Sequence, residues 1–565
     1  MKLVLKNGYV YDPANGVNGE KMDIFIENGK IVEEVSGAKE IDCSGMLVMP
    51  GGVEIHSHIA GGKVNTARLM RPEDHLRNVA PRTSVTRSVC GYSTPSTFLT
   101  GYAYSKMGYT TAFTAALPPL MARHTHEELH DIPMLDKGAL TVMGNNWLIM
   151  HYLSEGRIEH ACAYAAWLLR ATRGYAIKAV NPGGSEAWGW GRDVRSLDDR
   201  VPHFDITPRE IIRGLMEINE RLSLPHSVHL HPNNLGRVGN FTTTLETLEL
   251  TRDVKPSRER QVLQLTHAQF HSYGGDSWRN FSSEAESIAK AVNSSDRLVL
   301  DMGQVVFGDT TTMTADGPME YYLSSLTGLK WANKDIELET APGVTPFVYS
   351  EKSPVSGVQW AIGLELALLV ESPEKVMLTT DHPNGAPFFT YPKIIAWLMS
   401  AKSREEVLER LHRAAQKNTV LGSIDREYGW SEICWVTRTA QARSLGLESK
   451  GHLGVGADAD VAVYGINPES TDPAREYEAV ERAFSATALT VKGGEVVVRD
   501  GEVVKVVSGK TLYVDAGVGE ELEREVLKDV DYYFKRFYTV NLANYPVQEV
   551  YLTSPEAVKV DSGVR

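Results

Sequence analysis

Two histidines one residue apart close the short apolar stretch Met49-Pro50-Gly51-Gly52-Val53-Glu54-Ile55-His56-Ser57-His58. Strand side chains alternate between faces, so His56 and His58 point the same way. Two neutral imidazoles on one face make half of a tetrahedral zinc site. Taken alone, such a pair is as often structural, and the metal reading stands on residues further along. Lys178 ends the apolar run Gly174-Tyr175-Ala176-Ile177-Lys178. A lone lysine in such a run must be neutral or paired. A neutral amine can take up carbon dioxide as a carbamate, a carboxylate able to bridge two metals. The plainer alternative is a lysine that reaches solvent or an acid; metal histidines on neighbouring strands favour the carbamate. His229 and His231 share a face in Val228-His229-Leu230-His231, one suited to metal and the other to substrate. His267 ends Leu265-Thr266-His267, with His271 just beyond, and Asp381 follows the run Val376 to Thr380. A carboxylate at Asp381 can bind a metal and shuttle a proton; capping the His382-Pro383 turn is its plainer role. His75, His124, His126, His130, His151, His160, His203, His226 and His412 fit no such placement and read as structural or surface residues.

Each of these side chains needs an element to hold it. Short apolar stretches at Val53 to Ile55, Thr111 to Thr114, Tyr175 to Val180, Val228 to Leu230, Gln264 to Thr266, Leu298 to Asp301 and Val376 to Thr379 read as strands. Helical patterns lie between several of them, such as Thr207 to Leu222, which opens with an N-cap, a proline and an acidic first turn. This alternation predicts a (β/α) barrel with its chemistry at the C-terminal strand ends. Long inserts, Ala60 to Ala112 and Asp301 to Ala341, break the period where a barrel builds specificity. Both ends of the chain are different in style. Lys2 to Leu5, Asp23 to Glu27 and Lys30 to Val32, joined by Asn7-Gly8 and Asn28-Gly29 turns, match the grammar of Asp460 to Tyr464 and Gly494 to Val504. They predict one small β-sandwich assembled from both termini. The expected division is 1–48 and 426–510 for the sandwich, 49–425 for the barrel, and 511–565 for a helical extension packed over the sandwich.

Composition narrows the class. The 565 residues are 42% hydrophobic and 23% charged, with a formal charge of −14. This is a globular balance, and the acidity argues against nucleic acid as a partner. No apolar run is long enough to span a bilayer, and Met1 to Gly8 reads as strand and turn, so a cytoplasmic protein is expected. The four cysteines are scattered without a Cys-X-X-Cys pair, which argues against an iron–sulfur cluster in this chain. Any electron transfer belongs to another subunit. There is no Walker motif and no dinucleotide glycine fingerprint.

His-X-His on strand one, lysine on strand four, histidines on strands five and six, and aspartate on strand eight resemble the amidohydrolase superfamily, whose fold is a (β/α)8 barrel with a composite β-sandwich. Longer stretches, Gly61 to Arg68, Met70 to Asp74, Asn181 to Gly191, His229 to Gly236 and Thr379 to Phe389, resemble more specifically the A subunits of formylmethanofuran dehydrogenases. The resemblance covers essentially the whole chain. It implies two zinc ions bridged by N6-carboxylated Lys178 and held by His56, His58, His229, His267 and Asp381. It implies that His231 and His271 orient substrate, and that Asp381 moves the proton as formate condenses with the amine of methanofuran. The partners implied are a tungsten or molybdenum pterin subunit that makes formate from carbon dioxide, and ferredoxin-type subunits with iron–sulfur clusters. Arg68, Arg71 and Arg192 are candidates to grip methanofuran carboxylates. The competing readings are a stand-alone cyclic amidohydrolase, the corresponding subunit of a formyltransferase/hydrolase complex, and a metal-free scaffold.

Overall fold

The structure, a computed structural model, describes residues 2–333 and 342–565. Eight parallel strands form the barrel: β1 (Gly52–Ser57), β2 (Tyr109–Leu117), β3 (Asp136–Val142), β4 (Ala176–Val180), β5 (Val228–His231), β6 (Leu263–Leu265), β7 (Leu298–Asp301) and β8 (Val376–Met377). Each pairs with the next in sequence order. A parallel bridge between Ser57 and His382 brings the chain after β8 back to β1. There the backbone N–H of His58 donates to the carbonyl of His382 at 2.7 Å. Every residue of the eight strands is buried, as expected of strands covered on both faces.

Helices alternate with the strands and cover the barrel. Thr207 caps the helix Pro208–Arg221 through a capping box with Glu210, as its sequence predicts. Seven of the eight strands are among those expected; β3 is the addition. Its start, Asp136-Lys137-Gly138, is too polar to read as a buried strand. The structure satisfies that polarity with one distant and one local partner, since Lys492 Nζ reaches Asp136 and Lys137 Nζ donates to the Ile132 carbonyl five residues upstream. Gly138 is required by its neighbour, because a Cβ there would sit 2.1 Å from the Phe113 ring.

The terminal strands form one nine-stranded mixed sheet drawn from both ends of the chain. Val461–Tyr464 pairs antiparallel with Leu47–Pro50, which is the join between the two ends. Leu3, Ile26, Val48, Val461 and Val491 fill a separate apolar core there. Asn28 and Gly29 have φ of 52° and 79° in a hairpin turn, as expected. Asn7-Gly8 is different. It lies inside the strand Lys2–Asp12 as a register shift, and a Cβ on Gly8 would lie 2.4 Å from Val48.

The C-terminal segment contains the expected helix, Glu520–Phe537. It lies against the barrel rather than the sandwich. Its strands Thr511–Gly517 and Pro555–Asp561 pair with each other and extend the barrel sheet beside β3. Arg170, on the barrel helix Ile158–Thr172, donates to the Ala516 carbonyl, and Trp167 stacks on Tyr545.

The inserts are ordered. The first carries helices Gly62–Met70 and Thr97–Lys106. The second pairs Gly308–Thr314 antiparallel with Gly343–Tyr349 and adds the helix Gly317–Thr327. The end of the expected insert, 334–341, lies outside the described residues.

Candidate metal centre

The C-terminal ends of β1, β4, β5, β6 and β8 bring His56, His58, Lys178, His229, His231, His267, His271 and Asp381 to one buried cluster. Asp381 Oδ1 lies 3.0 Å from both His56 Nε2 and His58 Nε2. The rings of His56 and His267 are 5.2 Å apart, and that of His231 is 4.8 Å from His267 and 5.5 Å from His271. Lys178 is level with His229 in the β4–β5 register and donates to Thr266 Oγ1 at 3.4 Å. His267 and Asp381 adopt left-handed backbone, φ 35° and 50°, which non-glycine side chains tolerate at a cost. Each is the residue that turns the chain off a strand end and toward the cluster.

The hydrogen bonding of the cluster does not close. His56 Nε2, His58 Nδ1, His267 Nδ1, both nitrogens of His271 and Asp381 Oδ1 are buried without a hydrogen-bond partner among the described residues. Leaving a buried polar atom unpaired costs about 1–3 kcal/mol each. Close contacts without hydrogen-bond geometry mean lone pairs aimed at shared space. His56, His58 and Asp381 present ligand atoms within 4.8 Å of one another, and the donor set of imidazoles and a carboxylate suits a divalent cation.

Electrostatics agree with that donor set at most positions; at His56 burial would lower the imidazole, but Asp301 and Asp381 outweigh it and hold it above its ordinary range. Burial pushes the imidazoles of His58, His229 and His267 well below their ordinary range, so they present lone pairs. Burial alone would raise Asp381, but His267 and His56 outweigh it and hold its carboxylate well below the usual range. Burial lowers the Lys178 amine to about 7 against the opposing pull of Asp301 and Asp381, so much of it is neutral near pH 7.

The model of the amidohydrolase family matches residues 39–498. The chain belongs to that family. It is 57% identical to Protein FwdA of Methanocaldococcus jannaschii over 570 aligned residues, covering 100% of this chain and 99% of that protein. It is 38% identical to the FhcA component of the formyltransferase/hydrolase complex of Methylorubrum extorquens over 529 residues, 92% of each. The crystal structure of the FhcABCD complex from that organism, solved with methylofuran, matches with a TM-score of 0.89 at 36% identity, covering 99% of this chain and 100% of that one.

In this amidohydrolase-family chain a cavity of about 420 Å³ opens onto the cluster. His231 and Asp381 stand in its wall, and Leu235, Phe270, Tyr273 and Tyr349 make much of the rest apolar. Both inserts contribute to the surroundings of the site. Two of the arginines expected to grip substrate are committed elsewhere. Arg68 pairs with Glu128 and the Pro95 carbonyl, and Arg71 with Asp309 and the Thr310 carbonyl. Arg192 is exposed.

Four polar residues of the site escape a strand-by-strand reading. Asp301, at the end of β7, lies 3.3 Å from His56 Nδ1 and accepts from the His267 backbone, Gln264 and Thr379. Asp316, on the second insert, accepts from His231 Nε2 at 3.1 Å. His226, set aside as structural, contacts His229. Lys63, only 5% exposed, has no partner for its ammonium among the described residues, and burial lowers it to about 7. An acid ending the run Leu298-Val299-Leu300-Asp301 is the one sequence signal of this kind; the others depend on pairing across the fold.

Proposed function

We propose that this chain condenses formate with the primary amine of methanofuran to give formylmethanofuran, and catalyses the reverse, as the amidohydrolase-type component of a cytoplasmic formylmethanofuran dehydrogenase. The observation that carries the reading is the pair of partnerless atoms His56 Nε2 and Asp381 Oδ1, 3.0 Å apart beside an apolar cavity. The likeness to FwdA and to a complex solved with methylofuran supplies the substrate class. His56, His58, Lys178 in its carboxylated form, His267, Asp381 and one histidine of β5 hold two zinc ions. Such ions supply Lewis acidity that polarises a formyl oxygen and stabilises developing negative charge.

The chain's own residues do the rest. Asp381 accepts a proton from the attacking amine and returns it to the departing hydroxide, the reverse of its role in hydrolysis. Lys63, buried without a partner among the described residues and lowered to about 7 by burial, binds the formate carboxylate in its protonated form on its way to the site. His271, with both nitrogens unpartnered, hydrogen-bonds and orients the substrate. The apolar cavity takes the arm of the carrier next to its amine. Four scattered cysteines leave iron–sulfur and tungsten or molybdenum chemistry to partner subunits.

The test is to purify the chain with its co-purifying subunits, measure bound metal, and assay formyl transfer between formate and methanofuran in both directions. About two zinc per chain and activity in both directions are expected. A metal-free chain, or one that hydrolyses hydantoins and ignores formylmethanofuran, defeats the proposal.

A further inference from the structure

The first insert carries a projection that the site does not use. Ala80 and Val89 exchange backbone hydrogen bonds at 3.0 Å, and the Thr83 N–H donates to the Thr86 carbonyl at 2.9 Å, so residues 80–89 form a short hairpin. Thr83 Oγ1 secures its tip by accepting from the N–H groups of Val85 and Thr86. Asp74 clamps its base. That buried carboxylate accepts from the backbone N–H groups of Tyr92, Ser93 and Thr94 and from the hydroxyls of Ser93 and Thr94. The projection so fixed touches little, since no residue from 75 to 88 is buried. It nevertheless presents large aliphatic side chains to water: Leu76 is 82% exposed, Val79 65% and Val85 39%. Behind it a groove of about 530 Å³ runs to the helix Thr97–Lys106 and the terminal sheet, lined by Val79, Pro81, Leu99, Tyr102, Met107 and Val503.

Charge singles out the same stretch. In a chain of formal charge −14, no aspartate or glutamate occurs from 75 to 126, whereas Arg77, Arg82, Arg87, Lys106 and Arg123 do. Arg77 is taken by Asp309 and Lys106 by Glu502. Arg82 and Arg87 are exposed and meet no carboxylate among the described residues. We propose that the hairpin and its groove dock an acidic segment of a partner subunit. Its apolar side chains lie in the groove and against Leu76 and Val79, and its carboxylates meet Arg82 and Arg87. Exposed aliphatic side chains interleaved with arginine and free of lysine match the composition of protein interfaces. A surface held in place before the partner arrives loses little freedom on binding. The net charge of the chain repels an extended polyanion such as nucleic acid or an anionic membrane, whereas a short acidic segment meets only the local positive field. A second copy presenting the same face would set arginine against arginine. The existence of a partner rests on the complex proposed above; the place of docking does not depend on the metal centre.

The experiment uses the full chain purified with its co-purifying subunits. With Val85→p-benzoylphenylalanine, irradiation is expected to cross-link the hairpin to a segment of one of those subunits in which acidic and aliphatic residues are neighbours, identified by mass spectrometry. Leu76→Asp combined with Val79→Asp should weaken binding of that subunit about 100-fold. Arg82→Glu should weaken it about tenfold in dilute buffer and less at about 0.5 M salt. All these positions are exposed, so the melting temperatures of the variant chains should match wild type. A cross-link to a second copy of this chain, to nucleic acid or to a basic segment overturns the proposal. An intact complex that gives no cross-link overturns it too, as does wild-type affinity in the Leu76 and Val79 double variant. If the wild-type chain purifies without any other subunit, the complex reading falls with it.

Discussion

The two ends of the barrel each bury carboxylates among nitrogen-bearing side chains, with opposite results. At the N-terminal end, where the terminal sheet meets the barrel, Lys450 lies 2.5 Å from Asp136 and 3.0 Å from both Asp458 and Asp460. Lys492 lies 2.7 Å from Asp136 and 2.9 Å from Asp460. Backbone N–H groups of Lys510 and Gly493 take further carboxylate lone pairs. Although the three aspartates are spaced to hold an ion, the two ammoniums already fill that role. Burial would lower Lys450, but the three aspartates outweigh it and hold it well above its ordinary range. At the C-terminal end the carboxylate of Asp381 faces imidazoles whose lone pairs have nothing to meet. Complete pairing marks a joint between domains, and incomplete pairing marks a place prepared for something from outside. This matches the general division of a barrel into a stability face and a chemical face.

The largest test of that contrast is Asp381→Asn. It should lower formyl transfer about 10⁴-fold, the upper end for a lost general base, since the same carboxylate is also a proposed ligand. Compared metal-free, its melting temperature should stay near that of the metal-free wild type; a comparable loss of stability would erase the contrast. Lys450→Met should do the reverse. Stranding buried carboxylates costs about 3–5 kcal/mol, read by denaturant unfolding, while metal content per folded chain stays unchanged. Acid should separate the two ends next. Asp136 and Asp458 have folded values held low, so their contribution is present above the ordinary carboxylate range and is lost only as pH falls through the lower folded values. Between pH 7 and 5 the joint therefore keeps its strength, while the buried imidazoles of the cluster, held below their ordinary range by burial, cost stability as the unfolded chain takes up protons. An ion present at 100 times its dissociation constant stabilises by about 2.7 kcal/mol, so metal-loaded protein should melt higher than chelated protein, and the chelated protein should itself lose melting temperature as pH falls from 7 to 5. The smallest effect concerns Lys178. With its amine at about 7, the neutral fraction falls about tenfold between pH 8 and pH 6. At a fixed concentration of dissolved carbon dioxide, metal loading at pH 6 should be slower than at pH 8 by that factor, and a pH-independent rate would exclude the carbamate.

Much of this was legible in the sequence because local patterns carried it. The residues of the centre sit one step past short apolar runs, and a strand end fixes which face they share. The Asn28-Gly29 turn and the Thr207 cap are equally local, and both formed as read. What could not be read depends on partners distant in the chain. β3 begins with Asp136 and Lys137, tolerable only because Lys450 and Lys492 arrive from elsewhere and the Ile132 carbonyl accepts from Lys137. Asn7-Gly8 carries a hairpin signal but lies under Val48, where a shift of register inside a strand serves better than a turn. The tail strand Thr511–Gly517 has ordinary strand character; that it would extend the barrel sheet follows from β3 being there to receive it. His226 reads as structural in the sequence because its contacts with His229 and the Ser444 carbonyl form only in the fold.

The seam at Ser57 and His382 has a consequence for how the molecule is made. His56 and His58 emerge from the ribosome early, but their carboxylate partner lies on the other side of the last joint of the barrel to be stitched. Until residue 382 has been synthesised and that joint has formed, a nascent chain offers an incoming cation a set of the proposed ligands from which Asp381 is missing. Occupancy of the proposed centre would thus record a finished barrel, and an ion bound there would act as an inspector that passes completed molecules and ignores unfinished ones.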